Sequence, residues 1–103
     1  MNELLMKIEE WASDRGLATA DPVKQMLKLG EEYGELCAGM ARSDGEKITD
    51  SIGDMFVVMA ILCQQLCLDF EACVQEAYEE IRDRKGRMVG GVFVKESDLV
   101  EEA

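Results

Sequence analysis

At 103 residues, 48% of them hydrophobic and 32% charged, the chain is expected to form one domain with apolar matter for a core, and it is too apolar to stay disordered. A net charge of −11 and a pI near 4.3 argue against duplex nucleic acid or an anionic membrane surface as partner, because both are held by basic patches. With no histidine in the chain, Glu-x-x-His di-iron sites and Ser-His or Cys-His nucleophiles are excluded.

Leu4, Leu5, Ile8 and Trp11-Ala12 recur at three- and four-residue steps, which predicts a short amphipathic first helix stopping near Gly16. Asp21-Pro22 reads as an N-cap followed by proline at the first helical position. From there Val23, Met26-Leu27, Tyr33, Cys37 and Met40-Ala41 carry a second helix to about Arg42. Gly30, Gly34 and Gly39 inside it each cost roughly 1 kcal/mol against alanine, and close backbone packing is the expected return.

After a turn at Ser43-Asp44-Gly45-Glu46, Ile48, Ile52, Met55, Met59, Leu62 and Leu66 run at helical spacing, while Phe56 to Val58, Ala60 and Ile61 fill the other faces. A helix apolar all round is buried all round, and in so small a chain that implies a second subunit, in a homodimer or homotetramer. Asp69 is expected to cap a fourth helix through Phe70, Val74, Tyr78 and Ile81 that ends in the basic run Arg82 to Arg87. Gly90 to Lys95 reads as extended. The expected architecture is all-α, an oligomeric four-helix bundle, with one domain over 1–95 and an acidic tail over 96–103 that frays.

Cys37, Cys63, Cys67 and Cys73 sit in apolar helical patterns without a C-x-x-C pair, so they are expected to be reduced core cysteines. Met1 to Trp11 alternates charged and apolar residues, unlike a signal peptide, and the longest apolar run, Met55 to Cys63, is too short to span a bilayer. A cytoplasmic protein is expected.

The chemistry-bearing residues are carboxylates inside these helices. Glu31 and Glu32 each share a helical face with Glu35, as Asp50 does with Asp54. Like charges at that spacing repel, so a cation is expected to compensate them, and an all-oxygen set points to Mg²⁺ or Mn²⁺ rather than zinc or iron. The bland alternative is a solvated acidic face, which Glu31 and Glu32 alone would suit. Asp50 alone would suit a helix N-terminus, and Ser51 a cap. Asp54 is harder to explain that way, because aspartate is a poor mid-helix residue and the apolar stretch starts beside it. No calcium loop or phosphate-cradling glycine loop is present.

Lys28-Leu29-Gly30-Glu31-Glu32-Tyr33-Gly34-Glu35, then Asp50-Ser51-Ile52-Gly53-Asp54-Met55-Phe56, then Ile81 to Met88 with Gly91-Val92-Phe93-Val94-Lys95, together resemble the MazG-like nucleoside triphosphate pyrophosphohydrolases, particularly the short phage and prophage forms. The likeness runs from about Trp11 to Lys95. Glu31, Glu32 and Glu35 match the E-E-x-x-E half of the family signature in full. Of the E-x-x-D half, Asp54 matches, but Ser51 stands at the glutamate position and the acidic residue is displaced to Asp50. Neighbouring helix positions differ by about 100°, so the number of ions stays open.

The resemblance implies metal-dependent cleavage of NTP or dNTP between the α and β phosphates, giving monophosphate and pyrophosphate and clearing the nucleotide pool. The ligands are then Glu32, Glu35 and Asp54, with Asp50 supplementary and Mg²⁺ (or Mn²⁺) as the ion. Glu31 orients or deprotonates the attacking water, or else is a further ligand. Lys28, one turn before Glu32, either serves the phosphates or makes an i,i+4 salt bridge. Arg84, Lys85 and Lys95 are a second set of phosphate contacts, with dipole partnership at a helix C-terminus as the alternative. Trp11 is the candidate platform for the base, against an ordinary packing role. Two rivals stand beside this reading: a noncatalytic acidic interaction module, and an enzyme like the phosphoribosyl-ATP pyrophosphohydrolases.

Overall fold

The computed structural model describes residues 1–99. Four α-helices and one β-hairpin follow in order: α1 (Asn2–Asp14), α2 (Pro22–Arg42), α3 (Gly45–Gln65), α4 (Phe70–Ile81), β1 (Gly86–Val89) and β2 (Val92–Lys95). Short 3₁₀ turns stand at Leu17–Thr19 and Glu96–Asp98. Among the described residues, no single helix is long and apolar enough to cross a membrane. The chain divides into two compact units, Met1–Phe70 and the part from Glu71 onward.

In the first unit, α2 and α3 form an αα-hairpin, and α1 packs on α3. Its boundaries follow from capping. Asp21 Oδ1 accepts a hydrogen bond from the Val23 amide at 2.9 Å, with Pro22 in the first turn. Asp44 Oδ1 accepts from the Lys47 amide at 3.2 Å, so α3 begins at Gly45. That start removes the alternative reading of Asp50 as an N-terminal residue and Ser51 as a cap, since both lie more than one turn inside the helix.

Helices α2 and α3 end alike. Asp44 N donates to Gly39 O at 2.9 Å and Leu68 N donates to Cys63 O at 2.8 Å, each around a left-handed residue: Ser43 at φ 54° and Cys67 at φ 58°. These are six-to-one closures that glycine normally serves. Replacing Ser43 with glycine removes a left-handed penalty of roughly 1–2 kcal/mol and costs about 0.5–1 kcal/mol in unfolded-chain entropy. A net gain of about 0.5–1 kcal/mol, a Tm rise of roughly 2–8 °C, is the expected calorimetric result.

The buried residues are mostly small: Ala12, Val58, Ala60, Ile61, Phe70 and Ser51, with Gly39 against Ile48 and Lys47. Phe70 and Phe56 pack with ring centroids 5.1 Å apart. Amide side chains tie the helices together. Gln64 Nε2 donates to Glu9 O and Ser13 Oγ, both at 3.0 Å, Gln65 Nε2 to Leu17 O at 3.0 Å, and Gln25 Nε2 to Val58 O at 3.2 Å.

The second unit adds detail to the expected architecture. α4 ends at Ile81, and the basic run leaves the helix before Gly86 enters a strand. The chain is mostly helical, consistent with the all-α expectation, and the segment expected to be extended supplies β2, which pairs antiparallel with β1, Gly86 opposite Lys95 and Val89 opposite Val92. Gly90 and Gly91, at φ 57° and 83°, make the two-residue turn whose double positive φ suits the twist of a hairpin. Gly86 is required as glycine, because a Cβ there would run into the Val94 carbonyl and the Phe93 ring. Of the expected tail, Glu96–Asp98 forms a 3₁₀ turn fixed by Glu96 N donating to Lys85 O at 2.7 Å, and 100–103 lie outside the described residues.

The cysteines also differ from expectation. Cys37, Cys67 and Cys73 are exposed and Cys63 is half-buried. Periodicity located the stripes they belong to, but not what covers those stripes.

Candidate active site

The antiparallel course of α2 and α3 brings the two acidic segments together. One cleft of about 630 Å³ is lined by Glu31, Glu32 and Glu35 from α2, by Asp50, Ser51 and Asp54 from α3, and by Lys28 and Lys47. Asp44 and Glu46, at the start of α3, complete the lining. Every carboxylate singled out in the sequence therefore faces this space, together with Lys28. Within the cleft their environments differ. The Glu32 side chain is only 15% exposed, while that of Glu35 is 56% exposed. Ser51, at the position of the displaced signature carboxylate, is 3% exposed, and Asp50 beside it is exposed.

Two lysines already stand among these acids. Lys28 Nζ lies 3.9 Å from Glu32 Oε1, a loose i,i+4 contact. Lys47 Nζ lies 2.8 Å from Glu35 Oε2 and so links α3 to α2. The hydrogen bond from Lys47, then its charge, and more weakly the charge of Arg42, hold the Glu35 carboxyl below the ordinary glutamate range, against a small opposing effect of burial. A lowered folded value means that the pair stabilises at neutral pH, and that this contribution is lost as pH falls through the lowered value.

Sequence reasoning missed Lys47, Asp44 and Glu46. Lys47 precedes Ser51 by four residues and Asp54 by seven, which is one helical face. That signal was readable once α3 was started at Gly45, capped by Asp44, rather than after a turn reaching Glu46.

The donors are all carboxylate oxygens, the chemistry that Mg²⁺ and Mn²⁺ prefer. Among the described residues, however, no three acidic or cysteine side chains converge tightly enough to hold an ion as they stand. The donor set fits the ion in kind, with Glu35 turned to Lys47 instead.

Trp11 lies elsewhere in the first unit. It lines a second, apolar cleft with Leu4, Lys7, Ile8 and Val57. Arg15 stacks on its ring at 4.3 Å from the centroid and donates to Trp11 O at 3.1 Å, so one face of the indole is already covered. Arg84, Lys85 and Lys95 belong to the second unit. There Arg84 N donates to Ile81 O at 3.0 Å just past α4, and Lys85 and Lys95 flank the open end of the hairpin.

Residues 21–89 match the MazG nucleotide pyrophosphohydrolase domain. The chain belongs to this family. Its matched region contains both acidic segments and the whole αα-hairpin. The chain is also similar, with 50% identity over 70 residues, to a protein of Haemophilus phage HP1 described as an uncharacterized 18.2 kDa protein in the rep-hol intergenic region. The alignment covers 67% of this chain and 43% of the phage protein, so the chain spans less than half the length of that relative. No solved structure matches the chain. Membership of the MazG family supports a pyrophosphohydrolase type of activity on a nucleotide substrate.

Proposed function

We propose that this MazG-family chain hydrolyses nucleoside triphosphates, NTP or dNTP, to monophosphate and pyrophosphate in a Mg²⁺-dependent reaction that Mn²⁺ also supports, and that it serves to clear nucleotides from the pool. The observation that carries this reading is the single cleft in which Glu31, Glu32, Glu35, Asp50 and Asp54 meet. Glu32, Glu35 and Asp54 would hold the ion, with Asp50 supplementary. A divalent cation bound there supplies charge neutralisation for the polyphosphate and a lowered pKa for the attacking water. Glu31 orients that water and takes its proton as the bond between the α and β phosphates breaks. Lys28, at the rim, offsets negative charge on the phosphates.

The deciding experiment is to incubate the protein with a panel of NTPs and dNTPs, with Mg²⁺ or Mn²⁺ and then with chelator, and to measure pyrophosphate. Metal-dependent release supports the hydrolase. Binding of a basic protein partner with no turnover on any nucleotide would leave the noncatalytic module.

The same reading includes a second copy of the chain. On the face of α2 turned away from the carboxylates, Val23, Met26, Leu27, Tyr33 and Met40 are all exposed. Gly30 and Gly34 lie along that face, and nothing stands within 4 Å of where their Cβ atoms would be. Of the three α2 glycines, Gly39 alone gains a close neighbour within the chain, Ile48 at 3.3 Å, so the cost of the other two is unreturned by the protomer. A homodimer packed across Gly30 and Gly34 would return it, and a tetramer would extend the same principle.

The sign of one substitution separates the cases. If α2 faces water, Gly34→Ala stabilises by about 1 kcal/mol through helix propensity. If a second copy packs there, the added methyl clashes and weakens the dimer in sedimentation equilibrium, without raising Tm. The second result is expected.

A further inference from the structure

The cleft contains a cation that belongs to the chain. Lys47 Nζ sits 2.8 Å from Glu35 Oε2, and the root of this lysine is fixed on two sides. Its amide donates to Asp44 Oδ1 at 3.2 Å, and its Cβ would lie 3.3 Å from a Cβ built on Gly39. The start of its side chain is therefore held close to the α2 backbone at Gly39. Its side chain is 32% exposed, against 56% for Glu35, and it lines the cleft.

This geometry creates a competition. A divalent ion bound by Glu35 through Oε2, or through both oxygens, displaces Lys47 from the oxygen it holds, because two cations on one carboxylate oxygen repel. An ammonium displaced from Glu35 remains anchored at its root within a cleft lined by six other carboxylates, Glu31, Glu32, Asp44, Glu46, Asp50 and Asp54. The negative group that arrives with the ion is the polyphosphate, and a lysine tethered beside it provides a point charge for it.

We propose that Lys47 is a tethered placeholder cation, which holds Glu35 in the metal-free protein, yields it to the divalent ion, and then binds the phosphate chain of the substrate. This rests on the hydrolase reading above and adds an order of events and a residue to it. Lys47 thereby becomes a substrate-binding residue whose metal-free contact is with a ligand carboxylate.

The test uses binding rather than turnover. Metal-stripped wild type, Lys47→Met, Lys47→Arg and, as a control outside the cleft, Lys24→Met are titrated with Mn²⁺ by calorimetry or electron paramagnetic resonance at fixed ionic strength. Lys47→Met should bind Mn²⁺ roughly 3- to 5-fold more tightly, the upper part of the range expected when a competing exposed ion pair is removed. Lys47→Arg, whose planar fork grips a carboxylate more firmly, should bind it more weakly, and Lys24→Met should stay within about twofold.

The Mn²⁺-saturated proteins are then titrated with inorganic pyrophosphate. Here the order reverses, and Lys47→Met should lose roughly 10-fold in affinity, as expected for one charge-assisted contact. Circular dichroism establishes that each variant is folded, and Lys47→Arg keeps the test decisive if Lys47→Met is not. Unchanged or weaker Mn²⁺ binding by Lys47→Met, tighter binding by Lys47→Arg, or pyrophosphate affinity equal to wild type would overturn the placeholder role while leaving the hydrolase intact. Absence of Mn²⁺ binding by the wild type would remove both.

Discussion

Asp54→Asn is expected to abolish metal-dependent pyrophosphate release, lowering it by roughly 10²-fold or more, with Glu35→Gln behaving alike. Each substitution keeps the side-chain shape and removes one formal negative charge from a cleft whose donors are all oxygens. Hard divalent ions at such sites depend on carboxylate charge, and even outer-shell changes cost about 10- to 100-fold in metal affinity. The loss should fall on turnover and metal binding while stability is unchanged or raised, because one member of a mutually repelling set is gone. For Glu35→Gln the gain is smaller, since its bond to Lys47 is lost as well. A near-normal rate for either variant at saturating Mg²⁺ would take that residue out of the site.

Phe70→Ala is expected to produce the largest fall in stability, about 3 kcal/mol or more. Phe70 is 9% exposed, and it is the largest side chain among the buried residues, which otherwise include two alanines and a serine. Its ring packs on Phe56 at 5.1 Å with a 44° tilt, a contact that adds about 0.5–1.5 kcal/mol to simple burial. At roughly 4–8 °C per kcal/mol for a domain of this size, Tm should drop by about 12–24 °C. Denaturant melts should show the midpoint moving with an unchanged slope, the mark of a lost contact rather than an altered unfolded state. Together with Asp54→Asn this forms a matched pair, in which one variant silences chemistry without loosening the fold and the other loosens the fold without touching the cleft.

The helix limits around α2 were readable because they rest on local chemistry. Asp21 followed by Pro22 can begin a helix but cannot sit inside one, and the structure starts α2 there. The acidic faces were readable for the same reason, since spacing alone places Glu32 with Glu35 and Asp50 with Asp54. The extended course of Gly90 to Lys95 was readable, but its partner strand escaped because the run Arg82 to Arg87 was attached to the preceding helix, although Val89-Gly90-Gly91-Val92 is a two-residue turn between branched residues. Lys47 escaped because pairing across two helices depends on their relative register, which no single-helix pattern contains. The exposure of Cys37 and of Gly30 and Gly34 was hidden for a related reason. A repeat of apolar residues fixes a direction on the helix, while the identity of the neighbour lies outside the repeat.

The prevalence of small side chains in the interior bears on how this protein behaves on dilution. With only Val58, Ile61 and Phe70 as larger buried side chains beside Ala12, Ala60 and Gly39, the chain removes little apolar surface from water by itself, so in the proposed homodimer much of the free energy of folding would be drawn from association. Mass action then makes the folded fraction rise with total protein. For that homodimer, melting curves recorded at successive dilutions should slide to lower temperature together, and the size of that slide would measure how far each copy relies on the other.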